Sequence, residues 1–183
     1  MDNRAGTGLT TGMTTVVITG FMGTGKTSVG RALADRLRVA FVDTDSLIEK
    51  SEGRSVTEIF DDRGETYFRT VERQAIAAAL ATPGAVVATG GGAVMDPDNV
   101  AALRKAAPLV CLSARPDVIE ARTRAQGGTR PLLSGADLEQ HIAVLLAQRA
   151  EAYARADRQI DTSDRNLEDL VDEIAAFLDT KNS

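Results

Sequence analysis

Cysteine and histidine each occur once in this chain, as Cys111 and His141. A single thiol excludes an internal disulfide and fits a reducing compartment without proving one. Cys111 lies in the apolar run Leu109-Val110-Cys111-Leu112, so a buried strand thiol is expected. With so few nitrogen and sulfur ligands a zinc site has nothing to cluster, and His141 reads as a solvated helical residue. Long apolar runs are also missing: no stretch approaches the roughly 18 residues that suggest a membrane span. The segment Met1 to Met13 lacks the apolar centre of a secretory signal and reads as a loose tail, with Met13 as a possible natural start. Basic excess is absent too. Lys and Arg number 21 against 26 Asp and Glu, a formal charge of −5. That balance argues against sequence-independent nucleic-acid binding. The expectation is a cytoplasmic monomer that engages neither nucleic acid nor membrane and meets anionic small molecules with local basic groups.

What is present is an ordinary globular composition, 43% hydrophobic and 26% charged over 183 residues, enough for one core spanning about 14–180. Short apolar runs alternate with helical patterns. Val16-Val17-Ile18, Ala40-Phe41-Val42, Val86-Val87-Ala88, Leu109 to Leu112 and a short segment at Ile160 read as strands. Helices are expected over Thr27 to Leu37, Asp45 to Glu49 (closed at Gly53), Glu65 to Leu80, around Asn99 to Lys105, from Pro116, over Ala136 to Ala154 and over Leu167 to Leu178. Ser55-Val56-Thr57-Glu58 has capping-box spacing and starts a further helix that breaks near Gly64. This alternation implies an α/β fold with a parallel sheet. Two excursions leave it: a helical segment over about 44–80 and a Gly- and Pro-rich loop over about 124–136.

Gly20-Phe21-Met22-Gly23-Thr24-Gly25-Lys26-Thr27 follows the first strand and opens a helix. This is the Walker A pattern in the context it needs. Curled backbone and a helix N-terminus point N–H groups at phosphate. Gly23, Thr24, Gly25, Lys26, Thr27 and Ser28 are therefore candidate ATP ligands. Lys26 would carry charge to the β- and γ-phosphates, and Thr27 would offer a hydroxyl to Mg²⁺. A P-loop alone does not distinguish a kinase from an ATPase or a switch protein.

Further along come Val42-Asp43-Thr44-Asp45, Phe68-Arg69-Thr70-Val71-Glu72, Gly90-Gly91-Gly92 and Arg130-Pro131-Leu132-Leu133, then Arg149 with Tyr153 and Asp161-Thr162. In this order, over about residues 15 to 178, the series resembles the shikimate kinases. That resemblance implies a five-stranded parallel sheet of order 2-3-1-4-5, in a three-layer P-loop kinase core with a helical substrate-binding segment and a mobile lid. It also implies transfer of phosphate from ATP, with Mg²⁺, to the 3-hydroxyl of shikimate.

Asp43 and Asp45 end a strand beside the P-loop strand, the edge where open α/β sheets bind ligands. Asp43 is a candidate Mg²⁺ ligand and Asp45 a candidate base, and either can instead cap the following helix. Arg69 and Glu72 read by themselves as a surface i,i+3 ion pair. The resemblance makes Arg69 the carboxylate clamp, Glu72 its orienting acid and Arg149 a second clamp; the alternative for Arg149 is a solvated helical arginine. Gly90, Gly91 and Gly92 permit close backbone approach or form merely a turn; the resemblance makes Gly91 the leading substrate donor. Phe60 and Phe68 are either pocket wall or core. Arg130 sits in the expected lid, where it would neutralise charge and help exclude water. Arg122 resembles the adenine-stacking residue, although a one-residue longer interval before Arg130 leaves Arg124 as an alternative. Arg165 belongs to the expected adenine loop, where Leu167 stands at a position often occupied by proline. No Walker B aspartate ends the third strand; Thr89 stands there. The rivals are a gluconate or nucleoside monophosphate kinase on the same core, and a catalytically silent nucleotide-binding module.

Overall fold

The computed structural model describes residues 15–125 and 138–181. The expected sheet is present. Strands β1 (Val16–Gly20), β2 (Ala40–Asp43), β3 (Ala85–Ala88), β4 (Leu109–Ser113) and β5 (Arg158–Asp161) pair in parallel in the order β2-β3-β1-β4-β5. The central strands are buried on both faces, which is why they read as unbroken apolar runs rather than alternating ones.

Alternation shows instead in what each residue touches. Val16 and Ile18 pack with Val86, Val110 and Ile160 against helices α1 (Lys26–Leu37) and α7 (Leu167–Lys181). Val17, Val87, Leu109 and Cys111 face the opposite layer, which is built from α3 (Val56–Leu80), α4 (Pro97–Ala106), α5 (Pro116–Ala125) and α6 (Leu138–Tyr153). A third apolar cluster, around Ile48, Ile59, Phe68 and Val71, joins α2 (Thr44–Glu52) to α3 beyond the sheet. That cluster holds the 44–80 segment together at the ligand edge.

Helix ends follow the local chemistry. The Ser55–Glu58 capping box forms in both directions. The expected break at Gly64 is a residue with φ 76° and ψ 174° between two helical stretches. The helix expected from about Asn99 begins earlier, at Pro97. Asp96 caps it by accepting from the Asp98 N–H at 2.9 Å, and a proline in the first turn loses no helical hydrogen bond. Chain order places the P-loop at the carboxyl end of β1, between β3 on one side and β4 on the other. This is the crevice position of a doubly wound sheet. The ends of β2 and β3 open on the same edge. Most of the expected lid, including Arg130, lies outside the described residues. None of the described helices is long and apolar enough to cross a membrane.

Candidate active site

The P-loop is shaped by its glycines and by one internal hub. Gly25 adopts φ 92° as the N-cap of α1 and offers no capping side chain. A β-carbon is disfavoured in that left-handed conformation. The first N–H groups of α1 have no partners within the helix and open on a cavity lined by Gly23, Gly25, Lys26, Thr27 and Ser28. Phe21 O is the hub. It accepts from Thr24 Oγ1 at 2.7 Å and from Lys26 Nζ at 3.0 Å. The lysine is therefore folded back over the loop, where a phosphate group would sit. Backbone donors, a helix N-terminus and an ammonium form a donor set suited to a polyphosphate.

Asp43 has two contacts rather than one role. Its Oδ1 accepts from the Asp45 and Ser46 N–H groups at 3.0 and 3.3 Å, capping α2. Its Oδ2 accepts from the Thr27 hydroxyl at 3.3 Å. The cap fixes the carboxylate so that its second oxygen meets the P-loop threonine. Two hard oxygens, one anionic, at the edge of a phosphate cradle fit Mg²⁺.

Asp45 stands in the first turn of α2 and faces the glycine run. A β-carbon on Gly90 would lie 2.6 Å from Asp45 Oδ1 and 3.3 Å from Glu72 Oε1. Glycine is thus required at 90 for close approach. The run is also held from the other side: the Gly90 N–H donates to the buried Thr44 hydroxyl at 3.2 Å. Thr44 lies inside the Asp-Thr-Asp motif, but only the folded chain shows what its hydroxyl does.

Arg69 reaches the same cavity from α3. It donates to Glu72 Oε2 at 2.8 Å and to Glu65 Oε1 at 2.9 and 3.2 Å. This is not an ordinary surface pair, because Glu72 is 1% exposed. Burial pushes the Glu72 carboxyl above its usual range; Arg69 pulls it back, and Asp45 and Asp96 add to the upward push. Burial works to discharge Arg69, yet its two acidic partners hold its pKa above the ordinary arginine value, so it stays a cation. Arg149, from α6, lies with its guanidinium 5.3 Å from the centroid of the Phe21 ring and lines the cavity opposite. Phe60 and Phe68 stack at 4.4 Å between centroids and also line it. Phe68 belongs to the α2–α3 apolar cluster as well, so it serves as both wall and core.

These groups share one cavity of about 270 Å³. P-loop residues, Arg69 with Glu72, Arg149, Asp43, Asp45, Thr89 and the three glycines all line it. Of the arginines assigned to the nucleotide, Arg122 touches the P-loop: it donates to Gly23 O at 3.3 Å and to Thr162 Oγ1 and O at 2.9 and 2.8 Å. Thr162 Oγ1 lies 3.0 Å from Thr24 O, so Arg122 and Thr162 together tie the loop to the end of β5. Arg124 pairs instead with Glu120 along its own helix. Arg165 is not among the cavity-lining residues; it pairs with Glu173 and donates to Asp169 O at 3.2 Å.

The family model described as shikimate kinase matches residues 22–179. A shikimate kinase from Caldanaerobacter subterraneus subsp. tengcongensis is 46% identical over 162 residues, which are 88% of this chain and 94% of the relative. One from Geobacter sulfurreducens is 47% identical over 163 residues, 89% and 90% of the two chains. Among solved structures, the shikimate kinase from Acinetobacter baumannii in complex with shikimate superposes with a TM-score of 0.85 at 32% identity, covering 92% of this chain and 94% of that one. With this likeness over nearly its whole length, the chain belongs to the shikimate kinase family.

Proposed function

We propose that this protein transfers the γ-phosphoryl group of ATP to the 3-hydroxyl of shikimate. The products are shikimate 3-phosphate and ADP, in a step of chorismate and aromatic amino-acid biosynthesis. One observation carries the reading: a single cavity is lined by the P-loop, by two arginines suited to a carboxylate and by Asp45. Arg69 binds the substrate carboxylate. Its planar guanidinium gives two parallel hydrogen bonds, which an ammonium cannot. Glu72 keeps that guanidinium charged and oriented, and Arg149 closes on the same carboxylate. The glycine run supplies N–H donors to the ring substituents.

Asp45 accepts a hydrogen bond from the attacking hydroxyl and takes its proton as the oxygen meets phosphorus. Lys26, folded over the P-loop, lies where the transferring group gathers charge. Arg130, from the 124–136 lid, adds a second positive charge and excludes water. Thr27 and Asp43 would hold Mg²⁺. When bound, Mg²⁺ neutralises phosphate charge and helps align the transferring group. Arg122 supports the nucleotide through the P-loop carbonyl it grips, and Arg165 approaches the adenine. The enzyme works as a monomeric unit over residues 14–180 in the cytoplasm, with 44–80 as the acceptor segment.

A coupled ADP-release assay with shikimate, gluconate and nucleoside monophosphates tests the substrate. Turnover confined to shikimate is expected. Equal or faster turnover of gluconate or a nucleotide would overturn the acceptor, and release of ADP with none of them would overturn the kinase reading.

A further inference from the structure

Three carbonyls and three N–H groups lie in the Gly90-Gly91-Gly92 run, and their partners are unequal. Gly90 O accepts from the Ala93 N–H at 3.1 Å, and Gly92 O from the Met95 N–H at 3.0 Å. Those are backbone bonds of the following turn. Gly91 O is held by a side chain: the Tyr153 hydroxyl donates to it at 2.9 Å. Among the described residues, the N–H groups of Gly91 and Gly92 have no protein acceptor, and both residues line the cavity.

A trans peptide is planar, with its C=O and N–H directed oppositely. Whatever holds Gly91 O therefore sets the direction of the Gly92 N–H. Glycine cannot do this by itself, because its backbone freedom is the widest of any residue. The Tyr153 ring is 8% exposed and packs into the core cluster with Phe21, Ala93 and Ile142, so its hydroxyl has a rigid mount. Tyr153 also lies one turn after Arg149 on α6. Burial raises the phenol's pKa, and the Arg149 guanidinium opposes that rise.

We propose that Tyr153 is a positioning residue, fixing the Gly91–Gly92 peptide as a rigid part of the acceptor-binding surface. It touches no reacting atom. The inference rests on the acceptor reading given above. It adds that the geometry of the substrate donors is set by a phenol on α6 rather than by the glycine loop.

Tyr153→Phe keeps the ring and removes only the hydroxyl. The variant should bind shikimate about tenfold more weakly, because the Gly92 N–H is no longer held in one direction before the substrate arrives. Its ATP affinity and kcat at saturating shikimate should stay near wild type. Unchanged shikimate affinity in a folded Tyr153→Phe protein would overturn the proposal. Equal losses for ATP and shikimate would reduce Tyr153 to a packing role and overturn it as well.

A second measurement needs no variant. In the wild-type protein, amide exchange at Gly92 should slow when shikimate is added. Binding of shikimate without protection of that amide would also overturn the proposal. Failure of the wild-type protein to bind shikimate at all would instead remove the acceptor reading, and this inference with it.

Discussion

Arg69 donates to Glu72 at 2.8 Å, and the buried member of the pair is the acid: Glu72 is 1% exposed, the Arg69 side chain 24%. The cation is thus the partner that reaches the cavity. The second oxygen, Glu72 Oε1, is buried and makes no hydrogen bond among the described residues. A carboxylate costs free energy there unless its partner stays charged. The pair is built to present a guanidinium, at some expense in stability.

Glu72→Gln should expose that expense. The folded pKa of Glu72 lies above its ordinary value of 4.5, because burial disfavours the charged form. The folded protein therefore holds a proton that the unfolded chain releases. Stability from this group is complete below about pH 4.5 and is lost as pH rises through the folded pKa. The Gln variant should melt close to wild type in acid and gain on it toward neutral pH, while its KM for shikimate rises. Thermal melts of both proteins across that range check this; a difference that does not vary with pH would reject it.

Arg69→Ala leaves the Glu72 carboxyl buried without its donor. We expect a loss of about 2 kcal/mol, the order of an unsatisfied buried acceptor moderated by partial exposure of the arginine. Urea unfolding measures it. Shikimate binding should weaken far more than ATP binding.

Gly90→Ala places a methyl group 2.6 Å from Asp45 Oδ1, closer than real contacts allow. Asp45 must move, and a misplacement of about 1 Å at a reacting group costs on the order of a hundredfold in rate. Steady-state kinetics should show kcat reduced by about that factor. Nucleotide binding, measured by calorimetry, should persist.

Asp45→Asn retains the shape of the side chain and removes its basicity. Turnover should drop by about 10² to 10⁴, the usual weight of a positioned base. ATP affinity should change little. A variant with wild-type kcat would end the assignment of Asp45 as base.

Cys111 should be inert in the native protein. It is 2% exposed, and burial pushes its thiol pKa up to about 12. The thiolate is the reactive form, so almost none is present near neutrality. A chromogenic disulfide reagent should find no thiol until denaturant is added, then one per chain.

Much of this fold is local in origin, and for that reason it was legible. The short apolar runs at Val16, Val86 and Leu109, the Ser55–Glu58 box and the Gly64 break each depend on neighbours a few residues away. The same holds for the P-loop, whose spacing carries its chemistry. Helix starts were less exact: α4 begins at Pro97 because Asp96 caps it, a contact the apolar period near Asn99 does not report.

The acceptor side is different, because its meaning lies in burial and in distances between separate elements. Read along the chain, Arg69 and Glu72 are an ordinary i,i+3 pair. Folding buries Glu72 and turns Arg69 toward a cavity that also holds Arg149, from a helix 80 positions away. In the sequence Asp43 is either cap or metal ligand; in the fold the two oxygens of its one carboxylate meet both the cap and Thr27. Nothing in the sequence singles out the Tyr153 hydroxyl, which in the fold donates to Gly91 O. Residue order thus established a parallel α/β sheet, a phosphate loop and a likeness to one kinase family, since periodicity and motif spacing are properties of the chain. Only tertiary structure decided which charges are desolvated and which glycines lie against functional groups, since desolvation and close approach exist only after distant segments pack.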